Sequence, residues 1–346
     1  RELEEDEKGY DPDLISAHVR IQACQNLVFP QEYGGAEGNF MDLVILVEEM
    51  GRNILLGPFF STVIFCAIPI LEYGSSEQKK EFLPQIVNGE TIWVLALTEP
   101  SLSYKASGIK VLASSQGEKY LLKGTKLFVS DAHIADYLLV IARTSKFEEG
   151  LTAFIADAKS PGINVEIIPT IAHDKQCQVD FDNVIIPKNN ILGGGSQGWD
   201  IVNFILPRAT ILKCAEVMGG CQAVLEMTTT YAKDRIQFGR PIGSFQALHH
   251  RVVDLFIDIE GLRYLVYEAA WEISVGSLSN LHISMAKAKA NEVYQRTCIE
   301  GIRVHGAIGF TADHDIGLYF RRIKAAEFAL GDTDFHRERI AMELGI

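Results

Sequence analysis

The chain has 346 residues, too many for one small core, so two or three domains are expected. Hydrophobic residues make up 47% and charged residues 22%, ordinary for a soluble globular protein. A net charge of −13 argues against nucleic acid or an anionic membrane as partner, because both select basic patches.

The chain opens at Arg1 with no initiator methionine and no basic, apolar leader, so a trimmed or partly ordered start is expected. From Asp13 to about Asn88 the pattern is helical. Phe40 to Arg52, "FMDLVILVEEMGR", has an apolar face at helical spacing, with Gly51 as the expected C-cap. The run Ile54 to Leu71, "ILLGPFFSTVIFCAIPIL", carries no charge over 18 residues. Pro58 and Pro69 interrupt it, so it is read as a buried helix pair rather than a membrane span. "SSEQKKEFLPQIVNGE" predicts a further helix opened by Ser75 or Ser76 and closed by Asn88-Gly89.

At Thr91 the texture changes to short runs rich in β-branched and aromatic residues, separated by Gly, Asn, Asp or Ser. Roughly seven strands are expected, as a barrel or sandwich. From Gly198 the pattern is helical again: Trp199–Tyr231, Ser244–Val275, Leu281–His305 and Asp313–Leu330, then a short terminal helix. The expected fold is therefore α+β in three parts. An N-terminal helical domain spans 1–90, a middle β domain 91–193 and a C-terminal helical bundle 194–346.

The cysteines, Cys24, Cys66, Cys177, Cys214, Cys221 and Cys298, show no CxxC spacing and read as buried thiols in a reducing cytosol. The histidines include no HxxxH or HxxEH pair. His249 and His250 are adjacent and so face different sides of a helix, and no metal site is expected.

Four stretches carry candidate chemistry. "GGGSQG" (Gly193 to Gly198) matches a dinucleotide fingerprint, yet no βαβ unit follows, and it is read as an interdomain connector. "YAKDRIQFGRPIGSFQ" places Arg235, Phe238 and Gln246 around a turn between helices. An Arg fork suits a pyrophosphate, an aromatic face an adenine, and a Gln amide a base edge. An ordinary helical hairpin with a surface arginine reads equally well. In "HGAIGF", Gly306 and Ala307 let backbone N–H groups approach a phosphate or ribityl chain, or simply form a capping turn. "LALTEPS" ends a strand at Thr98, whose hydroxyl can bond a heterocycle rim.

In this order, on an α-β-α chain, these stretches resemble the acyl-CoA dehydrogenase family. "PQEYGG", "LVEEMGR", "ALTEP", "GTKLFVSDAHIADYLLV", "FDNVIIP", "YAKDRIQFGRPIGSFQ" and "HGAIGFTADHDIGLYFRR" carry the resemblance from about Asp11 to the end. It implies FAD as cofactor and an acyl-CoA as substrate. Leu95, Leu97 and Thr98 would line the flavin pyrimidine edge, and Phe128 would stand where the family usually has a tryptophan. Ser130 would lie near flavin N5. Arg235, Phe238 and Gln246 would come from a neighbouring subunit to hold the pyrophosphate and adenine, with Gly306 and Ala307 backing the same cofactor. The resemblance further implies a dimer of dimers in the cytoplasm and an electron-transfer flavoprotein as electron acceptor.

The sequence also departs from the family. The usual catalytic glutamate stands before a glycine downstream of the "GGxGF" motif; here that position is Leu330, before Gly331. Some relatives carry it instead just before an arginine on the first bundle helix, here Pro207 before Arg208. Of the carboxylates nearby, Asp332 (or Thr333) reads as a helix N-cap and Asp334 as first-turn charge. Glu327 alone shares a face with Leu330. The stretch "TEPSLSYK" replaces the usual small residues with Ser103, Tyr104 and Lys105, and Arg303 stands where Gln is common. No catalytic residue is assigned. The expectation is a subunit of a heteromeric dehydrogenase whose homologous partner supplies the base. The alternatives are a self-sufficient enzyme using Glu327, or a non-catalytic structural subunit.

Overall fold

The computed structural model describes residues 2–10, 25–145 and 150–346. The helical reading from Asp13 through Cys24 therefore lies outside the described residues. The principal helices are α1 (Phe40–Arg52), α2 (Ile68–Tyr73), α3 (Ser76–Val87), α4 (Gly198–Asp234), α5 (Gln246–Ser274), α6 (Asn280–His305), α7 (Ile316–Phe328) and α8 (Thr333–Leu344). The strands are β1 (Trp93–Ala96), β2 (Leu112–Gln116), β3 (Lys119–Ser130), β4 (Tyr137–Arg143), β5 (Leu151–Asp157), β6 (Ile163–Ile168), β7 (Gln176–Pro187), β8 (Ile191–Leu192), β9 (Ile236–Gln237) and β10 (Arg240–Pro241). The chain divides into two compact units, residues 1–38 with 56–206, and residues 39–55 with 207–346.

In the first unit, β1 to β8 form one eight-stranded sheet in the order β6-β7-β3-β2-β4-β5-β8, with β1 added in parallel to β4. Alternation along the strands turns Val94, Ala113, Leu122, Val140, Phe154, Val179 and Ile186 into one core. β8 pairs antiparallel with β5, and "GGGSQG" turns from it into α4 within the same unit, short of the division at residues 206–207: the Gln197 side chain accepts from Gly194 N at 2.6 Å. The charge-free run 54–71 is not a helix pair. Phe60–Ala67 winds as a π-helix that passes directly into α2. The wide register ends at Ile68, one residue before Pro69, which has no N–H to donate and whose ring would clash with the carbonyl four residues back. α3 begins with a capping box between Ser75 and Gln78.

In the second unit, α1 starts from a capping box between Asn39 and Asp42. Its C-cap is Asn53, not Gly51. Gly51 instead meets α4: a Cβ on it would lie 1.9 Å from the Glu216 carbonyl oxygen, and one on Gly219 would lie 1.9 Å from that of Glu48. The two glycines let the helix backbones cross in contact. Glu48, buried beside them, accepts from Arg263 and from Tyr267 (2.6 Å) on α5. His249 and His250 do not diverge: their rings lie 4.9 Å apart at the exposed start of α5. Among the described residues, no helix is long and apolar enough to cross a membrane. The described cysteines are all buried and unbridged.

Candidate cofactor site

In the sheet unit the site is a turn and a bulge. β1 carries Leu95, half-buried and in register with Leu139 of β4, and ends at Ala96. Leu97 and Thr98 then leave the ladder, and their carbonyls find partners on β3. Lys126 Nζ donates to Leu97 O at 2.9 Å, and Leu127 N donates to Thr98 O at 2.9 Å. Lys126 is fully buried, with its ammonium 2.7 Å from Glu99 Oε1. Burial pushes the Lys126 ammonium down to about 8, against the opposing pull of Glu99. The Glu99 carboxylate also accepts from Lys110 N (2.6 Å) and Val111 N (3.0 Å).

Immediately after Lys126 the ladder slips. Lys126 faces Val179, but Val129 faces Cys177, so β3 holds an extra residue there. Phe128 takes a left-handed backbone (φ +52°) and leaves its ring 48% exposed. Ser130 returns to register opposite Gln176, whose Nε2 donates to Ser130 Oγ at 3.0 Å and to Asp174 Oδ2 at 2.7 Å. The structure thus brings Leu97 and Thr98 against the Lys126–Phe128 stretch.

In the helical unit, α4 ends at Asp234 and Arg235 follows, its guanidinium exposed. β9 and β10 form a hairpin whose turn is Phe238-Gly239, both left-handed (φ +52° and +78°). Phe238 is 92% exposed and meets the Phe245 ring edge-on at 6.0 Å. Arg240 lies over the other aromatic partner, 4.1 Å above the Phe245 centroid. Gln246, exposed, opens α5. Tyr231 stacks on His305 with centroids 4.5 Å apart, which sets the hairpin and the Gly306–Phe310 turn at one end of this unit. Gly306 has φ +66° and open space where a Cβ would stand, and Ala307 beside it is exposed.

These residues fit FAD by their chemistry. Exposed aromatic rings suit heterocycle faces, while an exposed guanidinium and a bare glycine backbone suit phosphate. Half-buried leucines and hydroxyls suit the rim of an isoalloxazine.

The segment around Leu330 is held from three sides. Buried Lys287 on α6 donates from Nζ to Asn291 Oδ1 (2.6 Å), Ala326 O (2.9 Å) and Glu327 O (3.3 Å). Burial pushes this ammonium down to about 8. Leu330 itself is left-handed (φ +63°), and its carbonyl lies 3.0 Å from His336 Nε2. Asp332 caps α8, accepting from Phe335 N at 2.8 Å, and Asp334 is exposed in the first turn. Glu327 pairs with Lys324 at 2.6 Å.

Sequence reasoning passed over Lys126, Glu99, Gln176, Lys287 and His336. Two left a signal. Lys126 stands at the inward parity of β3, in step with Leu122, where a charge needs a partner. Lys287 lies four residues from both Ile283 and Asn291 on the buried face of α6. The partners of Gln176 and His336 depend on pairing between distant segments, which no local pattern encodes.

Profiles of the acyl-CoA dehydrogenase N-terminal, middle and C-terminal domains match residues 1–90, 94–184 and 196–345. The short-chain specific acyl-CoA dehydrogenase of Megasphaera elsdenii is 30% identical, over 96% of this chain and 89% of its own. A structure described as the electron transferring flavoprotein of Acidaminococcus fermentans contains a chain with TM-score 0.91 and 30% identity, covering 97% of this chain and 90% of that one. The ChsE4-ChsE5 complex of Mycobacterium tuberculosis gives TM-score 0.89 and 28% identity, covering 100% and 91%. PigA with FAD and proline gives 0.89 and 27%, covering 94% and 88%.

Proposed function

Because the chain belongs to the acyl-CoA dehydrogenase family and FAD is its cofactor, we propose that it is a FAD-binding subunit of a heteromeric acyl-CoA dehydrogenase. In this reading a homologous partner chain supplies the carboxylate base. α,β-Dehydrogenation of an acyl thioester removes the α-proton to a base and the β-hydrogen as hydride, and bound FAD supplies the hydride acceptor.

The chain's own residues hold and shield. Leu95, Leu97 and Thr98 line the heterocycle edge, Phe128 covers a ring face, and the Ser130 hydroxyl, steadied by Gln176, stands near the reacting edge. Arg235, Phe238 and Gln246, reaching into a neighbouring subunit, hold pyrophosphate and adenine, with Gly306 and Ala307 behind them. The Leu330 N–H would polarise a thioester carbonyl.

The observation that carries the reading is the occupancy of position 330. A leucine cannot accept a proton, and the carboxylates beside it are engaged: Asp332 in a cap, Glu327 with Lys324. That one structural neighbour is a complex of two named proteins, ChsE4 and ChsE5, supports a heteromer. An electron-transfer flavoprotein in the cytoplasm is the proposed acceptor, supported by the family resemblance.

The test is anaerobic titration of the FAD-loaded chain with saturated acyl-CoAs. The chain alone is expected to bind without bleaching its flavin. Leu330→Glu should introduce slow bleaching, since a general base contributes about 10²–10⁴-fold. Turnover by the unmodified chain, abolished by Glu327→Gln, would instead make Glu327 the base and the enzyme self-sufficient.

A further inference from the structure

We infer that Lys126 and Glu99 form a buried clamp that positions the Leu97–Thr98 turn against the Phe128 bulge, and so shapes the isoalloxazine-binding edge. The inference rests on the cofactor reading of those residues. Both charges are withdrawn from water: Lys126 is 0% exposed and Glu99 4%. Neither touches the exposed ring or hydroxyls of the site, so they are positioning residues.

The geometry gives the pair a task beyond holding the sheet together. β1 ends at Ala96, so the Leu97 carbonyl leaves the strand ladder and takes the Lys126 ammonium as its donor, at 2.9 Å. The next carbonyl, of Thr98, is fixed by Leu127 N at 2.9 Å. Glu99 then anchors the far side of the turn: its carboxylate receives the ammonium at 2.7 Å and the backbone N–H groups of Lys110 and Val111. Three consecutive residues, 97 to 99, are thereby tied to two consecutive residues of β3, immediately before the bulge that turns Phe128 outward.

A purely structural role is a weaker account. Well-packed apolar residues replace buried ion pairs with little loss, and often with gain, of stability. What apolar packing cannot do is orient a carbonyl that has left its ladder. An ammonium that bonds Leu97 O and a carboxylate together fixes direction as well as distance.

The experiment compares the FAD-loaded protein with the paired variant Lys126→Met/Glu99→Gln, which leaves no lone buried charge. A control, Thr125→Val, removes the Thr125–Asp180 hydrogen bond from the same strand but not from the turn. The paired variant is expected to raise the FAD dissociation constant about tenfold and to shift the flavin visible bands. In flavin-free protein it should speed amide exchange across residues 97–101. The control should do none of these at a comparable melting midpoint. Unchanged FAD affinity, bands and exchange in the paired variant would overturn the clamp, as would equal losses in the control. If the unmodified chain retains no FAD, the cofactor reading fails, and amide exchange still decides whether the clamp holds the turn. Should the paired variant not fold, Glu99→Asp keeps the charge but draws the carboxylate back, and the same readings are expected to move in the same direction; no movement overturns the inference.

Discussion

Phe128, Phe238 and Leu330 all hold a left-handed backbone, which bulky residues avoid at a cost of about 1–2 kcal/mol each. Two of these positions present an aromatic ring outward, and the third follows α7 with its carbonyl against His336. The strain persists because neighbours over-determine it: the register slip at Val129, the two-residue turn with Gly239, and the His336 contact on Leu330 O. Ser130 shows the same dependence on a neighbour. Gln176 Nε2 donates to its hydroxyl at 3.0 Å, and the hydroxyl donates to Gln176 Oε1 at 3.2 Å, so the amide fixes the hydroxyl beside the Phe128 bulge. Ser130→Ala is therefore expected to shift the flavin bands or potential while costing about 1 kcal/mol or less in unfolding free energy. Gln176→Leu should reproduce part of the spectral shift through the freed hydroxyl. A large stability loss with unchanged flavin bands in Ser130→Ala would assign the hydroxyl to the fold alone.

At the scale of elements, His336 links two helices and reports on acid. It is 1% exposed at the start of α8, and its Nε2 meets the carbonyl that follows α7. Burial pushes it down to about 4; Lys287 and Arg339 push the same way, while the Leu330 carbonyl and Asp332 oppose. Above pH 6.5 the ring is neutral folded and unfolded, so it adds no pH dependence. Between about 6.5 and about 4 the unfolded chain takes the proton and the folded chain does not. Stability should fall by about 1.4 kcal/mol per pH unit across that window. His336→Gln keeps a donor for Leu330 O and lacks the titration, so its urea midpoint should fall less steeply from pH 7 to 4.5. Parallel curves for the two proteins would refute this. The caps and the strand alternation were legible in the sequence because each is written within a few residues: Ser75 with Gln78, Asp332 with the first turn of α8. The Phe128 bulge, the Lys126–Glu99 pair and the crossing at Gly51 were not, because each is decided by a partner elsewhere. Local rules make Gly51 a cap; its constraint is instead the Glu216 carbonyl on another helix.

For the whole molecule, texture alone divides the chain at about residues 90 and 193, yet α1 lies with the helical unit. Glycine contacts and the Glu48–Arg263–Tyr267 cluster account for that grouping, and neither is visible as a change of composition. The cofactor reading makes a demand at the same scale. Among the described residues, the Arg235 guanidinium has no ion pair, although it is exposed at the end of α4 beside an exposed aromatic hairpin. Arg240, two residues past Phe238, is engaged within its own chain over Phe245. If Arg235 holds the pyrophosphate of a cofactor seated in a neighbouring subunit, flavin and assembly must depend on it together. Arg235→Ala should then lose a charge-assisted contact of about 1.5–3 kcal/mol. The flavin-to-protein absorbance ratio and the mass by analytical ultracentrifugation should fall in step, and added FAD should restore both. Arg240→Ala should loosen the hairpin while sparing both quantities. A fully flavin-loaded oligomer from Arg235→Ala would show that each subunit holds its cofactor alone, and the hairpin would then be an ordinary turn between helices.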